Sequence, residues 1–406
     1  MKGVKPFLRL FYAYSFFLEF VLLYPVYMLL FEARGLSLVE ITALMVIWSV
    51  PVFVLEFPSG VLADKWSRKH LILIGTTFKF TAYLLWLFAD AFLMFALGFV
   101  LWGVQVAMCS GATEALLYDV LASYNEASEY EKIAGRARFY SGIGLALSML
   151  LGGFAAALGF ETVILLSMAS IALSFAAALF FEEPSKAQHQ SEGGWKEYIS
   201  SFSQGFAACK NNKTVIAILL FSTMIIIVPG ILEEYDQLYA RQVLDAGGIG
   251  IAIGWVGVWG AIRTGVEALG ARFAYQVKHL FGSFSRICII ALAAGAALTV
   301  ASIFYSIYLA PVYILFYAIL SGADVLVQGM LQREIPSDQR ATVLSVQSLL
   351  MNLYAILPYF VFAAVAEPLG LRAGFVFMGV YTILTALVFL FIAGIRRKAV
   401  PAGENE

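Results

Sequence analysis

Acidic residues sit inside long apolar runs, among them Glu19, Glu114, Glu267 and Asp324. An ionisable group in hydrocarbon costs at least about 2.5–3.5 kcal/mol on insertion scales, so each faces a partner or a water-filled cavity and is a functional candidate. Glu19 shares a helical face with Tyr12 and Ser15 at i, i+3, i+7 spacing. A carboxyl so placed can take up and release a proton; the alternative is a packing Glu bonded to a neighbouring Tyr. Arg263 and Glu267 stand at i, i+4. They form either a charge-neutral strut or part of a solute site. Glu233, Glu234 and Asp236 crowd a run that follows Pro229-Gly230, and at most two of the three share one face. Lys79 lies in another apolar run with no evident partner. Acids beside Tyr24 and Tyr27 describe an acidic, aromatic hollow, which suits a cationic or amphipathic organic molecule through charge and cation–π attraction. The chemistry on offer is binding and proton exchange.

Covalent chemistry has little support. No His-Glu-x-x-His, Gly-x-Ser-x-Gly or Walker loop occurs, and His70, His189 and His279 are scattered. An enzyme and an ATP-driven pump are therefore not expected, nor a metal or other cofactor. Cys109, Cys209 and Cys288 show no ligand or pairing pattern and are expected to pack as small apolar residues. A net charge of −1 gives no reason to expect nucleic acid.

The elements that position these residues are membrane helices. The chain has 406 residues, 61% hydrophobic and 13% charged, with a mean hydropathy of +0.86. Soluble domains carry about a quarter charged residues, so this deficit places the whole chain in lipid. Runs long enough to span a bilayer lie near 7–31, 38–62, 71–89, 91–121, 134–158, 161–181, 214–239, 248–274, 283–303, 306–331, 341–366 and 370–394. The first is too long for a cleaved signal and is expected to remain as a span. A polar stretch at 182–213 divides the twelve into an N-terminal six-helix bundle (1–181) and a C-terminal one (214–394), followed by a tail at 395–406. Pro25 is expected to kink the first span. Gly144, Ser148 and Gly152 in the fifth span, and Gly250, Gly254, Gly257, Ala261 and Gly265 in the eighth, form small-residue seams for close helix packing.

With both chain ends on the cytoplasmic side, 21 of the 26 Lys and Arg face inward, 3 face outward and 2 fall within spans. That asymmetry supports a multi-pass protein of the cell membrane with cytoplasmic termini. The halves also repeat. Ser110-Gly111-Ala112 recurs as Ser321-Gly322-Ala323, 211 residues later, and Glu56 meets Glu267 at the same offset. Parallel repeats of six helices are a recurring transporter design with a midplane site.

Between the second and third spans, the turn Gly60-Val61-Leu62-Ala63-Asp64-Lys65-Trp66-Ser67-Arg68-Lys69 resembles the loop signature of the major facilitator superfamily, Gly-x-Leu-Ala-Asp-Arg-x-Gly-Arg-Lys. Gly60, Leu62, Ala63, Asp64, Arg68 and Lys69 match it; Lys65 is conservative and Ser67 replaces a glycine. Glu56-Phe57-Pro58-Ser59-Gly60 and the segment Ser110–Asp119 resemble the drug and small-molecule exporters of that family. The resemblance implies an all-α fold of two six-helix bundles related by a pseudo-two-fold axis. It also implies a monomer that moves a small molecule by alternating access, with proton-coupled efflux. Gly60, Asp64, Arg68, Asp119 and the nearby Glu56 are then the conformational latch. Glu19, Glu114, Asp324, Tyr12, Arg263 and Glu267 are the candidates for binding protons or solute. Two exporter signatures are altered. Trp102 stands near the place of an Arg in the fourth span, and Ser148-Met149 replaces the Gly-Pro of the fifth. Those departures keep a proton-coupled importer of a nutrient open.

Overall fold

The computed structural model describes residues 3–184, 213–249, 252–278, 283–335 and 340–399, and among these there is no strand. By Cα proximity the chain forms two compact units, Met1–Gly193 with Ile251–Ala261, and Gly194–Gly250 with Ile262–Glu406.

The first unit holds α1 (Lys5–Glu19), α2 (Tyr27–Ala33), α3 (Leu38–Lys65), α4 (Arg68–Leu87), α5 (Phe92–Ser123), α6 (Tyr130–Ala156) and α7 (Phe160–Leu179). Within it α5 packs on α3 and α4, α7 on α4 and α1, and α6 on α1. The second holds α8 (Lys213–Phe221), a π-helical turn (Ser222–Ile226), α9 (Ile227–Ala246), the latter part of α10 (Ala252–Phe273), and the whole of α11 (Phe284–Phe304), α12 (Ala310–Glu334), α13 (Arg340–Leu369) and α14 (Leu371–Ala399). Here α11 packs on α12 and α14, and α13 on α14. Each of the twelve expected spans overlaps helix, the first running over α1 and α2 and the seventh over α8, the π-helical turn and α9. Among the described residues, nine helices are long and apolar enough to cross a membrane. The central stretch expected at 182–213 lies outside the described residues between 185 and 212.

Local chemistry sets the helix ends. Ser37 and Glu40 form a reciprocal capping box at the start of α3, with Ser37 N–H donating to Glu40 Oε2 at 2.8 Å and Glu40 N–H to Ser37 Oγ at 3.2 Å. Ser67 caps α4 by accepting from the His70 N–H at 3.1 Å. One residue, Gly370, links α13 to α14 with φ +87°, a left-handed conformation that favours glycine.

The first span departs from expectation. It is not one kinked helix: the backbone leaves the helix from Phe20 to Val26. Pro25 has no N–H to continue a ladder, and short turns replace it, Val21 N–H to Glu19 O at 2.8 Å and Val26 N–H to Leu23 O at 3.0 Å. Neighbouring helices bind the freed groups. Buried serines of α7 do most of this: Ser167 Oγ accepts from the Leu23 N–H at 3.1 Å, and Ser170 Oγ donates to Phe17 O at 2.8 Å. The Gly144 and Gly152 faces of α6 press on the same span, where a Cβ would strike the carbonyl oxygens of Phe16 and Leu22. Irregular backbone at membrane depth is tolerated only where protein satisfies it or a cavity borders it.

In the second unit Gly270 of α10 lies against α12, and a Cβ there would collide with the backbone of Ala318. At Gly265, one and a half turns earlier, nothing lies within 4 Å of the same position. Gly270→Val should therefore lower thermal stability by about 1–3 kcal/mol through overpacking. Gly265→Ala should be neutral or raise it by about 0.4–1 kcal/mol. Melting of the purified protein in detergent reads both, and equal effects would mean that α10 and α12 do not meet as described.

Candidate functional site

Two groups of polar side chains lie among the apolar helices, one in each unit. The first borders a cavity of about 490 Å³ whose walls come from α1, the broken stretch after it, α3, α4, α5 and α6. Glu19 ends α1 at the edge of the break and lines this cavity, as does Glu114 of α5. Lys79 of α4, only 2% exposed, lines it too. Its Nζ donates to the Leu18 carbonyl at 3.0 Å, a group left without a helical partner by the break, and to the Tyr24 hydroxyl at 2.8 Å. Glu19 lies within Coulombic reach of Lys79 and of Tyr24 and Tyr83. Tyr24 stacks on Trp102 with centroids 5.8 Å apart and planes at 16°. Lys79 stands 5.4 Å from the Tyr24 ring and 5.8 Å from the Trp102 ring. Arg138 of α6 pairs with Glu114 at 3.3 Å, both well exposed.

The hollow expected to be acidic is thus charge-balanced. Lys79 and Arg138 answer Glu19 and Glu114. Tyr12 is not part of the lining; it stacks on Tyr140 with centroids 5.0 Å apart. Two lining residues that sequence reasoning passed over, Tyr14 and Gln105, are almost wholly buried, yet the Tyr14 hydroxyl and Gln105 Oε1 have no hydrogen-bond partner. Such orphaned buried groups are rare in folded proteins and mark places where a water or ligand belongs.

The second group centres on Arg263 of α10, which is 2% exposed. Its guanidinium donates to three carboxylates: Glu233 at 2.5 Å and Asp236 at 3.1 Å, both on α9, and Glu267 at 2.9 Å on its own helix. The Tyr317 ring of α12 lies 4.7 Å from the guanidinium carbon. Tyr313 donates to Asp236 Oδ1 at 2.8 Å and stands 2.9 Å from the Tyr317 hydroxyl. The Arg263–Glu267 strut expected from sequence is present but is one arm of a larger hub. Glu233 and Asp236, at i, i+3, are the two acids of the crowded run that share a face. Their spacing was a legible signal, since Arg263 is the only basic residue central to any span of that half. Asp324 of α12 stands apart from the hub, and Gln328 donates to it at 3.3 Å.

The charged turn has a described partner set as well. Arg68, at the start of α4, forms an ion pair with Asp119 near the end of α5 and donates to the Ala115 carbonyl at 3.2 Å. Glu183, just after α7, accepts from the Arg68 N–H at 2.6 Å and from the Ser67 hydroxyl. Arg68 and Asp119 thus meet inside one unit, tying the turn to α5 and to the segment leaving α7. The side chains of Glu56, Gly60 and Asp64 lie outside the described residues.

The profile of the Major Facilitator Superfamily matches residues 8–357. Comparison with curated proteins gives no match. Among solved structures, the nucleoside transporter NupG is 14% identical with a TM-score of 0.79, covering 97% of this chain and 99% of that one. A bacterial homolog of the human lysosomal transporter Spinster is 16% identical with a TM-score of 0.72, covering 98% of each chain. A D-xylose-proton symporter is 13% identical with a TM-score of 0.60, covering 95% of each chain. These likenesses concern the fold.

Removing a partner from a buried ionic set costs about 3–5 kcal/mol because the remaining charges stay uncompensated. Arg263→Met should therefore abolish folded protein or lower its stability by about that amount. Asp324→Asn, outside the hub, should melt close to the parent. Size-exclusion profiles and melting temperatures in detergent decide it, and an undisturbed Arg263→Met protein would remove the hub from the structure's support.

Proposed function

This chain belongs to the Major Facilitator Superfamily, and from that we propose a proton-coupled secondary transporter that carries a neutral or zwitterionic, ring-bearing organic solute through the hollow of its first unit. The observation that carries this is the lining of that hollow, where each acid has a base and Tyr24 stacks on Trp102. A net acidic hollow would attract cations; a balanced one holds a molecule whose own charges cancel, or none. The flat faces of Trp102 and Tyr24 suit a ring. Lys79 can donate three hydrogen bonds and spends two on Leu18 and Tyr24, leaving one for solute. Gln105 and Tyr14 supply further unpartnered polar groups. Glu19, beside Lys79, is placed to answer a positive group on the solute.

The solute class is in keeping with two of the structural relatives, a nucleoside transporter and a D-xylose-proton symporter. The D-xylose-proton symporter supports the symport reading. Export is the second reading, supported by the exporter-like segments at 56–60 and 110–119. The transporter works in this proposal as a monomer in the cell membrane with both termini cytoplasmic, an orientation that rests on the basic residues of its loops. Arg68 and Asp119 belong to the latch that changes with the cycle.

Flux in proteoliposomes under an imposed proton gradient tests the proposal, using uridine, D-xylose, L-tyrosine and the lipophilic cation tetraphenylphosphonium. Uridine, xylose or tyrosine should be carried and should respond to the gradient; transport of the cation alone would refute the solute class. Lys79→Met should weaken apparent affinity about tenfold to a hundredfold, the range for a hydrogen bond to a charged group. Unchanged affinity would remove Lys79 from the solute site.

A further inference from the structure

The hollow of the first unit holds three buried side-chain groups that nothing in the protein answers. The Tyr14 hydroxyl, Gln105 Oε1 and Trp48 Nε1 are shut from solvent and have no hydrogen-bond partner, and all three residues line the cavity. Tyr14 is 1% exposed and Gln105 4%. Buried polar groups nearly always find a partner, so three orphans around one cavity point to a ligand that brings one. Two polar side chains beside Tyr14 are already engaged. Thr76 Oγ1 donates to the Ile72 carbonyl at 2.7 Å, and Cys109 Sγ donates to the same oxygen at 3.8 Å.

The order of the three follows from α5. The rings of Trp48 on α3 and Trp102 on α5 have centroids 6.0 Å apart. Gln105 lies one turn beyond Trp102, and Cys109, a further turn on, neighbours both Gln105 and Tyr14. Close packing holds them there. A Cβ at Gly103 would strike the Trp48 carbonyl oxygen, and one at Gly75 the Cys109 sulfur, so α3 and α4 both close on this stretch of α5. Along it the groups run donor, acceptor, hydroxyl. An indole N–H only donates, an amide oxygen only accepts, and a phenol does either.

We infer that these three groups read the edge of the solute's ring, and that this edge is an imide, one N–H flanked by two carbonyls. The inference rests on the ring-bearing solute proposed above and names its hydrogen-bonding class. Gln105 Oε1 accepts the ring N–H, while Trp48 Nε1 and the Tyr14 hydroxyl donate to the carbonyls on either side. Trp102 and Tyr24 supply flat faces for the same ring. Other polar edges answer the set less well. A carboxylate has no proton for Gln105, an ammonium has no acceptor for the two donors, and a sugar's hydroxyls do not lie in the plane of a flat ring. All three reading groups are neutral, which fits a neutral edge. A solute that leaves one of them unanswered forfeits the bond and keeps the cost of burying the group.

Competition for binding to the full chain in lipid nanodiscs tests this, with uridine, uridine methylated on its ring N–H, D-xylose and L-tyrosine. The parent should prefer uridine to each of the other three by at least about tenfold. Gln105→Leu should bring uridine and its methylated form to within about threefold of each other by weakening uridine, and Tyr14→Phe should weaken uridine by about threefold to tenfold. The preference is a ratio measured on one protein, so a variant that folds in low yield still reports it, and the parent comparison needs no variant. Equal binding of uridine and its methylated form in the parent overturns the inference, and so does a preference that survives Gln105→Leu. A parent that carries D-xylose or L-tyrosine in proteoliposomes but neither binds nor carries uridine sinks the inference and leaves the proposed function standing. Transport of tetraphenylphosphonium alone sinks both.

Discussion

The absence of water at membrane depth governs this protein. A backbone group or charge that loses its partner there cannot fall back on solvent, so every irregularity in the helices must be answered from within the chain. The first span shows how. Pro25 and its neighbours break the helix, and the groups released are bound by Ser167 and Ser170 of α7 and by the ammonium of Lys79. The break then creates the hollow, because Glu19, Tyr24 and the stretch between them no longer follow a helical face.

The same constraint accounts for the hub. A guanidinium 2% exposed is tolerable only when its donors are used, and Arg263 uses them on three carboxylates and on Thr264. The approach of α10 to α12 at Gly270 brings Tyr317 over the guanidinium, and Tyr313 supports Asp236 from the same helix. Span seven prepares its own contribution. A π-helical turn at Ser222–Ile226 precedes Pro229, whose missing N–H interrupts the ladder, and Glu233 and Asp236 follow. Irregular backbone and polar side chains therefore occur together in both units, at the first span and at the seventh.

Charge pairing differs between the two groups: Lys79 and Arg138 accompany Glu19 and Glu114 around the hollow, while Arg263 gathers Glu233, Asp236 and Glu267. The ion pair of Arg68 and Asp119, joined by Glu183, ties the ends of α4 and α5 and the exit of α7 into one body, so the first unit's helices are held together where the turn at residues 60–69 enters α4.

The amino-acid sequence by itself determined the fold class, the apolar runs that become helices, and membership of a transporter family. Those depend on hydropathy averaged over some twenty residues and on a short charged turn, neither of which needs tertiary contacts. It also placed Glu19, Glu114, Arg263 and Glu267 at membrane depth. It could not partner Lys79, because the carbonyl of Leu18 becomes available only once the first helix breaks and the Tyr24 hydroxyl arrives with it. Nor could it gather Glu233 and Asp236 around Arg263, since that meeting depends on how α9, α10 and α12 pack. Tertiary structure alone decided that bases accompany the acids of the hollow, and that three carboxylates of the other unit gather on Arg263. The reason is that a side chain's charge is local information, while its compensation in a medium without water is set by neighbours remote along the chain.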